Sequence, residues 1–136
     1  MTSIPTEPAG SNEISFTVRT HPLNGWLLAR LEVGDRDVMM VLDTGSPVSS
    51  ISQETYTRLL PTGFLVSAGG RFWMMRSLQL EEHPIAELRV HVSQRVTVVK
   101  AQGILGLDFL RRFEQVHFHV PTLRLTLAYP PGARLN

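Results

Sequence analysis

Cysteine is absent from this chain of 136 residues. That excludes disulfides, thiolate zinc sites and a cysteine nucleophile. Lysine is nearly absent too: Lys100 is the only one, and the other basic residues are arginine. Schiff-base chemistry or a phosphate-loop lysine would have to rest on that one side chain. Charged residues make up only 18%, and 13 Lys+Arg nearly balance 12 Asp+Glu, for a formal net charge of +1. No excess of one sign is left to track a phosphate backbone, which argues against a nucleic-acid partner. No apolar run approaches the roughly 18 residues of a spanning helix. Met1 to Gly10 carries Pro5, Glu7 and Pro8, and has neither the basic nor the apolar region of a signal peptide. The expectation is a soluble, cytoplasmic protein without a membrane partner, whether whole or a piece of a longer chain.

What is present suits one domain. The hydrophobic fraction is 43%, and a domain of this size buries roughly 65–70% of the surface its unfolded chain exposes. Residues 1–12 are polar with two prolines and read as a mobile tail; residues 13–136 read as a single domain. From Glu13 the dominant period is two. Ile14, Phe16 and Val18 alternate with Ser15, Thr17 and Arg19, and Leu27, Ala29, Leu31 and Val33 oppose Trp26, Leu28, Arg30 and Glu32. Gly34-Asp35-Arg36-Asp37 is a turn signal. Val38 to Leu42 is uninterruptedly apolar and predicts a strand buried on both faces. Pro47 to Ile51 is a further short strand candidate.

Gln53 to Leu60 predicts a short helix with Ser52 as N-cap and Pro61 beyond its end. Arg71–Leu80 and Ile85–Ser93 read as longer strands linked by Glu81-Glu82-His83-Pro84. Arg95 to Val99 is rich in β-branched residues and follows as a further strand. Leu107 to Phe113 reads as a second short helix. Gln115–Val120 and Leu123–Tyr129 read as a final hairpin around Pro121-Thr122. Many short strands with only two short helices indicate a mainly β fold, a closed barrel or a sandwich. A faint repeat supports two related halves: His21-Pro22-Leu23 recurs as His83-Pro84-Ile85. Each is followed at some distance by an apolar strand ending in glycine, at Leu42-Asp43-Thr44-Gly45 and at Ile104-Leu105-Gly106.

Asp43-Thr44-Gly45-Ser46 is the most informative stretch. A carboxylate stands at the end of a buried apolar strand, where burial disfavours its charge unless something pairs with it. The same residue types also make ordinary turns, so the string alone reads as a capped turn equally well. Its surroundings carry more. Val-Met-Met-Val-Leu before Asp43, and Ser-Pro-Val-Ser-Ser-Ile-Ser after it, resemble the active-site loop of aspartic proteases. Ile104-Leu105-Gly106 resembles the second motif of those enzymes, and Leu107-Asp108-Phe109-Leu110 its following helix. Ser67-Ala68-Gly69-Gly70-Arg71 resembles the glycine-rich tip of their flap hairpin. From about Leu23 to Tyr129 the order is similar to that of the retroviral-type (retropepsin-like) aspartic proteases. Gly-Leu-Asp-Phe-Leu is most similar to the cellular branch, such as the protease domain of the DNA-damage-inducible ubiquitin-shuttle proteins.

The resemblance implies a closed acid-protease barrel with one or two short helices, active as a homodimer. Catalysis in that family needs two carboxylates that share a proton, and this chain has one Asp-Thr-Gly, so the implied partner is a second copy across a two-fold axis. On this reading Asp43 is the catalytic carboxylate. Thr44 bonds across the dyad, and Gly45 allows close backbone approach. Ser46 can bond the outer carboxylate oxygen and, with Gly69, Gly70 and Arg71 of the flap, contact substrate. Ile104, Leu105, Gly106 and Asp108 support the loop from beneath. The implied substrate is a peptide or protein, and no metal or organic cofactor is implied. Two positions depart from the viral pattern. Pro47 stands where an acidic substrate grip is common, and Leu107 where an interface arginine is common.

Other chemistries draw less support. His117 and His119 share a strand face at i, i+2, but no third zinc ligand lies at motif distance, so an exposed face is the better reading. Ser46 lacks a Gly-x-Ser-x-Gly elbow. Gly103-Ile104-Leu105-Gly106 is not followed by the Lys-Ser/Thr pair of a phosphate loop. Phe72-Trp73-Met74-Met75 reads as a strand with a core face or as pocket lining. The alternative function is a non-hydrolytic peptide-binding or dimerisation module on the same fold.

Overall fold

The computed structural model describes residues 12–98 and 100–132. The expected tail therefore lies outside the described residues except for Asn12, whose carbonyl accepts from Tyr129 N at 2.7 Å. The elements run β1 (Glu13–Thr17), β2 (Arg19–Thr20), β3 (Leu27–Val33), β4 (Arg36–Leu42), β5 (Ser50–Ile51), α1 (Gln53–Leu59), β6 (Leu65–Ser67), β7 (Phe72–Met75), β8 (Leu78–Leu80) and β9 (His83–Ile85). They continue with β10 (Leu88–Val92), α2 (Gln94–Val98), β11 (Gly103–Leu105), α3 (Leu107–Leu110), β12 (Gln115–His119) and β13 (Arg124–Ala128). Among the described residues the fold is mainly β, with three short α-helices and two 3-10 turns.

Two sheets share one core. β1, β13 and β12 form an antiparallel three-stranded sheet in that order. The remaining strands form a long curled sheet in the order β6-β7-β10-β5-β11-β4-β3-β8-β9, with β2 added alongside β3. Among the described residues this order is a path with two ends, a curled half-barrel. The two-residue alternation works as anticipated in β1 and β3: Ile14, Phe16, Ala29, Leu31 and Val33 are all buried in the main core. β4 is buried on both sides. Val38 and Met40 face the main core, while Val41 joins Leu28, Val96 and Ile104 in a second, smaller cluster.

Several expectations are corrected. The β3–β4 turn is tighter than the four-residue signal, because Val33 pairs with Arg36 and only Gly34-Asp35 turn. Residues 47–49 are loop, and β5 is just Ser50–Ile51. The long strand 71–80 is broken at Arg76-Ser77, where Ser77 takes a left-handed φ of 57° and β8 leaves for β3. The 85–93 strand is likewise split into β9 and β10, and the link before it shortens to Glu81-Glu82, with His83-Pro84 already in β9. The largest correction is at residues 95–99, which do not form a strand: Gln94–Val98 is helix α2. β10 runs parallel to β5 while β11 runs antiparallel to it on its other side. The chain between them must reverse and cross over β5, and no free edge is offered on the way. Connectivity thus overrides the β-branched preference of Val96, Thr97 and Val98.

Helix α1 starts where its cap predicts: Thr55 N donates to the Ser52 side chain at 3.1 Å. The terminal hairpin β12–β13 also forms, with Leu123 in a left-handed conformation after the turn at 120–122. Among the described residues no helix is long and apolar enough to cross a membrane.

Candidate active site

The site is built where β11 inserts between β4 and β5. β11 pairs parallel with β4 (Leu105 opposite Leu42) and antiparallel with β5 (Ile104 opposite Ser50). The segment from Asp43 to Ser49 must therefore arch over the end of β11 to pass from one of its flanks to the other. Backbone bonds hold the arch down on the strand it crosses. Asp43 N donates to Leu105 O at 3.0 Å, Leu107 N to Ser46 O at 2.8 Å, and Asp108 N to Pro47 O at 3.2 Å. Gly106 lies in direct contact beneath the arch. A Cβ there would stand 2.5 Å from Ser46 O and 2.8 Å from Val48 O, both backbone atoms that cannot step aside.

Asp108 supports the arch from α3. Its carboxylate accepts Ser49 N at 2.9 Å and Ser49 Oγ at 2.7 Å, and Phe109 N at 2.8 Å. Ser49 Oγ in turn accepts from Gly106 N at 3.0 Å. Asp108, Ser49 and Gly106 are thereby linked, with Ile104 and Leu105 buried beneath them. The chain beyond α3 is tied to the β9–β10 link by Arg112, which donates to the carbonyls of Ala86 and Glu87. Burial pushes the Arg112 guanidinium below its usual range, and the negative charge available at Tyr129 and Asp108 opposes that shift.

Asp43 stands at the crest. One carboxylate oxygen accepts from Gly45 N at 2.8 Å, which orients the group. The other accepts from an Arg95 guanidinium nitrogen at 3.1 Å. The Asp43 side chain is 22% exposed, so it is sheltered yet open to the surface. Thr44 and Gly45 beside it are exposed. Ser46 is buried, and its hydroxyl donates to Val48 O at 2.9 Å.

Gly69 and Gly70 lie far along the chain in a separate hairpin. β6 and β7 pair antiparallel, with Ser67 opposite Trp73, and Phe72 N donates to Gly69 O at 3.0 Å to close the turn. Gly69 and Gly70 hold φ of 96° and 59°, a region closed to most side chains. The whole tip, Ser67 to Arg71, is exposed. Trp73 is half-buried and packs edge-on against Tyr56 at 5.0 Å, which favours the core-face reading of its strand. Phe72 lies under Arg89 and beside His91. His117 and His119 are exposed on β12, and among the described residues no three His, Asp or Glu side chains gather as a metal site. One cleft of about 550 Å³ opens between β1–β2 and the β3–β4 hairpin, near Arg19, Arg30 and Asp37, and Asp43 is not part of its wall.

Arg95 was not legible as a site residue. It sits in a β-branched stretch whose strand reading gave no hint that a helix would aim it at Asp43. Nothing local marks Ser49 among the neighbouring serines, because its partner lies 59 residues away.

No protein-family model matches the chain, and no curated protein does. Solved structures do. A retropepsin-like aspartic protease from Rickettsia conorii is similar with a TM-score of 0.60 at 16% identity, covering 91% of this chain and 97% of that one. The retroviral protease-like domain of Ddi1 from Leishmania major is similar with a TM-score of 0.50 at 19% identity, covering 81% of this chain and 91% of that one. These neighbours match the family and the cellular branch that the motifs resemble.

Proposed function

We propose that this chain, whose fold is that of the retropepsin-like aspartic proteases, is an aspartic endopeptidase that works as a homodimer. The observation that carries the reading is the setting of Asp43. A single carboxylate is oriented by Gly45 N on an arch braced from below, its second oxygen meets Arg95, and the side chain is 22% exposed. One carboxylate cannot serve as both general base and general acid in the same step. Two copies related by a two-fold axis supply the pair, and like charges in contact then share one proton.

In the dimer, water held between the two Asp43 carboxylates attacks the scissile carbonyl. One carboxylate takes the water proton, and the other donates its proton to the carbonyl oxygen. No covalent enzyme intermediate forms. Thr44 bonds the opposite loop, and Gly45 lets the two backbones approach. The substrate lies extended, adding a strand beneath the flap formed by Gly69, Gly70 and Arg71. Ser46, Ile104, Leu105, Gly106 and Asp108 hold the crest in register.

The second copy docks at the outer edge of β12, which pairs only with β13 among the described residues. That edge carries Val116, 48% exposed, and leads into Val120, 64% exposed, an apolar surface that an isologous contact would bury.

The test is cleavage of a mixed peptide library between pH 4 and 7 by wild type and Asp43→Asn, with light-scattering mass in the same buffers. The expected result is cleavage by a dimeric wild type and a loss of at least about 10²-fold in the variant, which keeps its fold and mass. Equal behaviour of the two proteins, or peptide binding that survives without any cleavage, would favour the non-hydrolytic module.

A further inference from the structure

Arg95 is the one charged partner of Asp43 among the described residues, at 3.1 Å. Its backbone is fixed. Ser93 N donates to Ile51 O at 2.9 Å, and Arg95 N donates to Ser93 Oγ at 3.1 Å. The next residue, Val96, is fully buried against Leu28, Val41 and Ile104. The root of the side chain is therefore pinned over the end of β4. The side chain beyond that root is 57% exposed, and its guanidinium reaches Asp43.

Charge counting in the dimer leaves this group short of a partner. Two Asp43 carboxylates that share a proton carry one negative charge between them. Two Arg95 side chains bring two positive charges to the same place. At least one guanidinium then lacks a carboxylate, next to the position of the scissile bond and partly shielded from water by bound substrate. We infer that Arg95 is a specificity-determining residue that selects substrates with an acidic side chain at a residue flanking the cut. A substrate carboxylate meets the planar guanidinium in the bidentate geometry that arginine favours. The two-fold axis offers this contact on either side of the scissile bond.

The inference rests on the dimeric peptidase reading, and two readouts keep the two apart. The first is cleavage of a peptide library by wild type, Arg95→Ala, Arg95→Glu and, as a distant control, Arg36→Ala at the β3–β4 turn. Wild type and the control should enrich Asp or Glu beside the cut by roughly tenfold over Gln or Asn. Arg95→Ala should lose that enrichment, and Arg95→Glu should turn it towards Lys or Arg. The second is binding of paired uncleavable peptides, with a reduced amide at the cut and Glu or Gln beside it. Wild type should hold the Glu peptide roughly tenfold tighter, and Arg95→Ala should hold both alike. Cleavage with no flanking preference that depends on residue 95 would overturn the inference and leave the peptidase intact. Equal binding of the Glu and Gln peptides by wild type would overturn it as well. Absence of cleavage by every protein would overturn the peptidase and this role together.

Discussion

Asp108 accepts both the backbone N–H and the hydroxyl of Ser49, at 2.9 and 2.7 Å, across 59 residues of chain. This clamp joins α3 to the arch that carries Asp43. Both partners are largely sheltered, so breaking it leaves polar groups of Ser49 without an acceptor. Asp108→Ala should cost about 2–4 kcal/mol of stability and lower activity through a displaced loop. Asp108→Asn, which keeps one acceptor oxygen, should cost less. Urea denaturation of both variants beside peptide cleavage checks the ranking; an Ala variant as stable as wild type would remove the clamp from the account.

Gly106 tests the crossing itself. Backbone oxygens of Ser46 and Val48 already occupy the space a methyl group would need. Gly106→Ala should destabilise by at least about 2 kcal/mol or fail to fold. Gly63→Ala, where nothing lies within 4 Å of the added carbon, should cost only the strain of its left-handed backbone, about 1 kcal/mol. Thermal melts of the pair separate steric from conformational cost.

Glu81 predicts a pH dependence. Burial alone would raise its carboxyl, but Thr17 N at 2.7 Å and Arg124 at 3.3 Å outweigh that and hold it below the ordinary value. A carboxyl whose folded pKa is depressed stabilises the fold above its unfolded pKa, and the contribution is lost as pH falls through the folded value. Solvent screens this part-exposed group, so Glu81→Gln should cost only about 0.5–1 kcal/mol at pH 7. The difference should shrink towards zero below about pH 4. Chemical denaturation at pH 7 and pH 3 reads it directly, and a gap that stays constant would contradict the assignment.

The β12 edge makes a prediction about assembly. Val116→Arg places a charge on the exposed apolar edge and should weaken the proposed dimer by at least about tenfold. The folded monomer should keep most of its stability, because Val116 is already 48% exposed. Sedimentation across a concentration series, paired with a thermal melt, distinguishes a lost dimer from a lost fold. Cleavage should fall in step with the dimer fraction.

Local chemistry was readable before any coordinates. The buried alternation of Ile14, Phe16, Ala29, Leu31 and Val33, the Ser52 cap and the closing hairpin all follow from neighbours a few residues apart. The Asp-Thr-Gly string and the Ile-Leu-Gly string that meets it were also visible as motifs. The strand breaks at Arg76-Ser77 and at Ala86-Glu87 were not; Ser77 takes a left-handed backbone conformation where the chain leaves β7 for the pairing of β8 with β3 and β9.

Residues 94–98 show the limit most clearly. Their composition favours a strand, yet the path from β10 over β5 to β11 leaves no edge to join, and the segment coils into α2. That coil brings Arg95 to Asp43 from 52 positions away. Propensity and pattern act over a handful of residues, so the chain's own order specified the alternating strands β1 and β3, the Ser52 cap and Asp43 as the candidate acid. Which cation faces that acid, and which serine is clamped beneath it, depended on how distant segments cross in space, a matter of connectivity and packing that no short window contains.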